Sequence, residues 1–92
     1  MSRSIEAPTK GAGAAGGAER VLDAEALNAR LLSGHQLSIR EANGEVVRCD
    51  VVGAGELVAP EMFDDYLARG LIQEMEHSYR FGISNDGRRR LR

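Results

Sequence analysis

Tryptophan is absent from this sequence, cysteine and lysine occur once each, and the other aromatic residues are two tyrosines and two phenylalanines. With Cys49 as the single cysteine, an intramolecular disulfide is impossible, which fits a reducing cytoplasm. No apolar run reaches the length of about 18 residues needed to cross a bilayer, so no membrane-spanning segment is expected. Arg3 could open a secretory leader, but no apolar stretch of about seven residues follows it, and none is read here. The two histidines, His35 and His77, have no Cys or His partner at metal-ligand spacing, so no metal and no cofactor is expected. Cys49 has no histidine near it in sequence and reads as a small core residue. Asp64 and Asp65 are neighbours on a helix pattern, point about 100° apart, and so form no carboxylate pair. Gly53-Ala54-Gly55 lacks the lysine of a phosphate loop and reads as a turn. No catalytic constellation emerges, and the expectation is a non-enzymatic protein.

What is present is an uneven distribution of charge. The formal net charge is −2 and the pI about 5.6, below what a nucleic-acid binder usually shows. From Asp50 to Glu76 the acids are Asp50, Glu56, Glu61, Asp64, Asp65, Glu74 and Glu76, against Arg69 alone. From Arg80 onward Arg80, Arg88, Arg89, Arg90 and Arg92 outnumber Asp86. An acidic middle is joined to a basic end.

Residues 1–18 combine Gly11, Gly13, Gly16 and Gly17 with many alanines, and nothing after Ile5 is larger and apolar. Such a stretch buries too little to offset its ordering entropy and is expected to be a disordered tail. The domain is placed at 19–92. A first helix is expected from about Glu19 to Ser33, with Val21, Ala24, Leu27, Leu31 and Leu32 as its apolar stripe and Gly34 beyond its end. A hairpin follows. For Leu37 and Ile39 to share a face with Val47, Cys49 and Val51, parity demands a three-residue loop, Ala42-Asn43-Gly44, pairing Ile39 with Val47 and Leu37 with Cys49. Pro60 opens a second helix whose apolar face is Met62, Phe63, Tyr66 and Leu67, and Gly70 ends it. Glu61, Asp64 and Asp65 lie outward. A last strand pair carries Met75 on one side and Tyr79, Phe81 and Ile83 on the other, with Glu76-His77-Ser78 at its tip. Ser84 is the expected N-cap of a closing turn, from which Leu91 returns to the core.

The segment Leu67-Ala68-Arg69-Gly70-Leu71-Ile72, then Tyr79-Arg80-Phe81-Gly82-Ile83-Ser84, then Gly87-Arg88 and Leu91 resembles the ending of many bacterial winged-helix proteins. Upstream, Leu31-Leu32-Ser33-Gly34, the Gly44 hairpin, the Gly55-x-Leu57 step and Phe63-x-x-x-Leu67 resemble the small YjhX-like family, over about Leu22 to Leu91. That resemblance implies a winged-helix-like architecture and a toxin that inhibits DNA topoisomerase I. The second helix departs from it in being acidic rather than basic.

The expected fold class is therefore α+β, a small winged-helix-like domain: helix, hairpin, helix, hairpin wing and short C-terminal turn. Two uses are expected for it. In the first, a cytoplasmic regulator contacts DNA weakly through Arg80, Arg88, Arg89, Arg90 and Arg92, without sequence readout, because Glu61, Asp64 and Asp65 would repel phosphates from the helix that normally reads bases. In the second, Glu61, Asp64, Asp65 and an exposed Tyr66 bind a protein partner with a basic surface, as an inhibitor or toxin-like module. A homodimer is a further alternative, although no dimerisation helix stands out.

Overall fold

The computed structural model describes residues 20–92. The expected tail at 1–18, and the expected start of the first helix at Glu19, lie outside the described residues. Asp23 decides where the first helix begins. Its carboxylate accepts a hydrogen bond from the Ala26 amide at 2.8 Å, and helix α1 runs Ala24–Leu32. The residues before it are extended instead of helical, a correction to the sequence reading. Arg20–Val21 form a two-residue strand, β1, and Leu22, at 3% exposure, takes the core position that the helical stripe assigned to Val21.

Strands β2 (Leu37–Ala42) and β3 (Glu45–Val51) make the expected hairpin, with a different register. The loop is two residues, Asn43-Gly44, both with positive φ (54° and 80°), the backbone of a tight hairpin turn. Ile39 pairs with Cys49 and Leu37 with Val51, while a shift between Arg40 and Glu41 marks a bulge. The bulge absorbs the parity conflict. Leu37, Ile39, Cys49 and Val51 share the core face as expected, Val46 joins them, and Val47 is 52% exposed instead of inward.

Turn residues 52–55 lead to β4 (Glu56–Val58), a strand not foreseen, which pairs antiparallel with β3 and parallel with β1. Helix α2 (Pro60–Ala68) starts on Pro60 and ends before Gly70, whose φ of 75° reverses the chain. Strands β5 (Ile72–Glu74) and β6 (Arg80–Ile83) form the second hairpin, and helix α3 (Asn85–Arg90) closes the chain. Ser84 caps α3 as expected, accepting from the Gly87 amide at 2.9 Å while donating to the Gly70 carbonyl at 2.6 Å. Gly87 has a steric role: a Cβ there would sit 2.1 Å from the Leu71 carbonyl oxygen, so only glycine lets α3 press against that backbone.

The architecture is mixed α+β: the described residues form three helices and one six-stranded sheet in the order β1-β4-β3-β2-β6-β5. The β2–β6 pairing, Leu37 with Phe81 and Ser38 with Arg80, joins the two hairpins, so the sheet is wider than a separate hairpin and wing. The core lies on one face of it. Leu27 and Leu31 of α1 and Phe63 and Tyr66 of α2 pack against Leu37, Cys49, Val51, Val58, Phe81 and Ile83. Phe63 meets Phe81 edge-to-face, with centroids 4.9 Å apart.

Candidate functional site

Between the β2–β3 hairpin and α2 lies a groove of about 340 Å³. Its apolar lining is Ile39, Val46, Phe63, Leu67 and Phe81, and the acids Glu41, Glu45 and Asp64 line it as well. All three acids are exposed. Each residue arrives there for a local reason. The bulge turns Val46 inward; Phe63 anchors α2; and Leu67, one turn along, is left 40% exposed over the groove instead of in the core. Glu41 and Glu45 lie on either side of the tight turn, so the hairpin brings both to the groove that Asp64 also lines.

The acidic residues expected to act together on α2 have separate fates. Asp64 lines the groove. Asp65 is ion-paired to Arg69 one turn on, at 3.1 Å. Glu61 is exposed in the first turn of α2, where the helix dipole favours a negative charge. Tyr66 is a correction: it is 4% exposed, its hydroxyl donates to Asn28 Oδ1, and the Arg69 guanidinium covers its ring at 5.9 Å. Burial raises its pKa, with Arg69 opposing that shift. Tyr66 ties α2 to α1 and offers no surface to a partner.

The arginines are also separated. Arg80 pairs with Ser38 on the face of the sheet away from the helices, whereas α3 follows from the far end of β6 and packs through Gly87 against Ile83 on the core side. Arg89 is ion-paired to Asp86, and Arg90 donates to the Arg69 carbonyl at 2.9 Å, capping the C-terminus of α2. Arg88 and Arg92 are exposed.

One ion pair has a structural duty that the sequence did not disclose. Arg30 of α1 holds Glu56 of β4 through two hydrogen bonds, 2.6 and 2.8 Å long, and the guanidinium lowers the carboxyl pKa. It fastens α1 to the outer part of the sheet. Cys49 is buried, and loss of hydration pushes its thiol up to about 12, so it is protonated and unreactive at neutral pH. His35 is half-buried, with Nδ1 3.2 Å from the Val52 carbonyl, and His77 is exposed in the turn between β5 and β6. Among the described residues no group of three His, Cys, Asp or Glu is placed to hold a metal ion, and no helix is long and apolar enough to cross a membrane.

Sequence reasoning missed Glu41, Glu45, Val46 and the exposure of Leu67. The signal lay in the Asn43-Gly44 dipeptide: a two-residue turn forces the bulge, and the bulge brings Val46 to the groove. Comparison of the chain with protein-family models, curated proteins and solved structures finds no match.

Proposed function

We infer that this chain is a small, non-enzymatic, winged-helix-like module that binds a basic, partly apolar segment of a protein partner in the groove between the β2–β3 hairpin and α2. The observation that carries this reading is the composition of that groove: an apolar floor that includes the half-open Leu67, bordered by Glu41, Glu45 and Asp64. Arginine and lysine side chains suit both parts, because their stems lie on apolar surface while their charged heads meet carboxylates. Complementary charge of this kind sets encounter rate and partner choice more than raw affinity.

The winged-helix-like description draws its support from the element order helix, hairpin, helix, hairpin, closing helix and from the Gly70-Leu71-Ile72 and Gly87-Arg88 signatures. A cytoplasmic inhibitor or toxin-like role, of the topoisomerase-inhibitor type that the YjhX-like resemblance implies, is compatible with such a groove, since nucleic-acid enzymes present basic surfaces. DNA association through Arg80 and Arg88 to Arg92 is the weaker reading. Arg89 and Arg90 have local partners, and Arg80 faces elsewhere.

A labelled peptide alternating arginine and leucine, titrated by fluorescence anisotropy, tests the groove. Binding that is lost on the double reversal Glu41→Lys and Asp64→Lys, and weakened by Leu67→Ala, is the expected result. Binding indifferent to those changes, or none at all, rejects the groove. An electrophoretic shift assay across a salt series, with Arg88, Arg89 and Arg90 changed to Ala, decides the DNA reading.

A further inference from the structure

The side of the sheet turned away from the helices has its own chemistry. Cross-strand register places Arg40 opposite Arg48 and Ser38 opposite Arg80. The first pair stands roughly 5 Å apart at Cα, and Arg80 lies diagonally about 8 Å from Arg40. Three guanidinium groups thus share one face with Asp50, whose Oδ1 lies 2.9 Å from Arg48 Nε, while Glu45 sits beyond the bulge at the hairpin tip. Like charges directly opposite one another work against a ladder, and here Asp50 offsets the charge of Arg48.

Two hollows flank Arg40. On the β4 side, a cavity of about 460 Å³ is lined by Val21, Val47, Leu57 and Pro60 together with Arg40 and Arg48. On the β6 side, a cavity of about 260 Å³ is lined by Tyr79 with Ile39, Arg40 and Glu41. Tyr79 is unusual there. Alternation along β6 assigns it to the core, yet its φ is 66° and it is 53% exposed. A bulky residue held at positive φ is strained, and the exposed Tyr79 lines one hollow with Arg40.

We propose that this face, which no helix among the described residues covers, binds single-stranded nucleic acid, with Arg40, Arg48 and Arg80 on successive phosphates and bases taken up against Tyr79 and in the apolar hollow beside Arg40. Charge complementarity selects a polyanion, and the apolar hollow and the exposed ring select one with flat apolar faces. A duplex hides its bases and would use the arginines alone. Asp50 holds the Arg48 side chain near the face and reduces its net pull, so Arg40 and Arg80 contribute more. The Tyr79 hollow shares Ile39 and Glu41 with the peptide groove, whereas Arg40, Arg48 and Arg80 do not line that groove, so the arginine variants separate failure here from failure of the peptide reading.

The probe is a labelled oligothymidylate of about 12 nucleotides, followed by anisotropy across a salt series. Three phosphate contacts give a log–log salt slope of about −2, and Arg40→Ala or Arg80→Ala lowers it by about 0.7 each. Tyr79→Asn tolerates the positive φ but removes the ring; it weakens binding about 5- to 150-fold without changing the slope, and Tyr79→Phe restores it. Urea midpoints close to that of the unchanged protein show that the variants fold. No binding at about 50 mM salt overturns the proposal. So does binding that ignores Arg40 and Arg80 but disappears with Arg88→Ala and Arg92→Ala. Equal affinity for a duplex or for heparin, insensitive to Tyr79→Asn, overturns it as well, because the face would then be reading charge alone.

Discussion

On the helix side of the sheet Leu37, Cys49, Val51 and Phe81 are buried, while one residue away along the same strands Ser38, Arg40, Arg48 and Arg80 stand on a face that no helix among the described residues covers. The two faces come from the same backbone, separated only by the alternation of side chains. The helix side supplies the stability and carries an acidic groove at its margin. The open side supplies little stability and carries Arg40, Arg48 and Arg80 together with Asp50, while Arg30, Arg69 and the α3 arginines belong to the helix side. Both signs of charge therefore occur on each side, and the acidic middle and basic end of the sequence do not map onto the two faces.

The largest expected effect tests the energetic half of that contrast. Phe63→Ala removes a ring that is 1% exposed and packed on Phe81, and is expected to cost about 3–5 kcal/mol in urea denaturation. Val47→Ala, on the open side of the bulge, should change stability by no more than about 0.5 kcal/mol. Comparable losses at both would break the distinction between the faces. Next comes Gly87→Ala. In an unconstrained helix alanine would be favoured, but here the new methyl meets the Leu71 carbonyl, and a net loss of about 1–3 kcal/mol is expected. A gain would show that α3 is not pressed against the core as described.

The Arg30–Glu56 clamp gives a pH signature. The folded pKa of Glu56 is depressed, so its contribution is complete above the ordinary carboxylate range and is lost as pH falls through the lowered folded value. Glu56→Gln should accordingly lower Tm at pH 7, and the gap to the unchanged protein should close in acid. A gap independent of pH would mean that Glu56 acts by packing and not by charge. The smallest effect separates arginines within the tail. Arg90→Ala removes the cation at the C-terminus of α2 and should cost about 0.3–1 kcal/mol, whereas Arg92→Ala, which caps nothing, should leave the denaturation midpoint unchanged.

Much of the local structure was legible from the residues. Ser84 as a cap, Pro60 and Gly70 as the limits of α2, and Leu37, Ile39, Cys49 and Val51 as one face all follow from short-range rules, and the structure has them. The misreadings have specific causes. Strands β1 and β4 are two and three residues long, too short to show a period. Uninterrupted alternation predicts a hairpin register that a single bulged residue, Val47, defeats. The same alternation predicts an inward Tyr79, which its positive φ breaks. The groove was half visible, since Asp64 could be named, but Glu41 and Glu45 join it only once the turn and bulge are in place.

The sequence by itself determined the limits of α2, the cap of α3, the apolar positions Leu37, Ile39, Cys49 and Val51, and that opposite charges cluster in different segments. These depend on neighbours within a turn or two of backbone. Only the tertiary structure decided which charges meet. Arg30 found Glu56 across 26 residues, Arg90 found the end of α2 across 21, and Arg80 came to lie beside Ser38 and Arg40 while the tail arginines did not. Those partnerships rest on the closing of loops and the packing of α1 and α2 against one face of the sheet, and no local pattern of residue types specifies them.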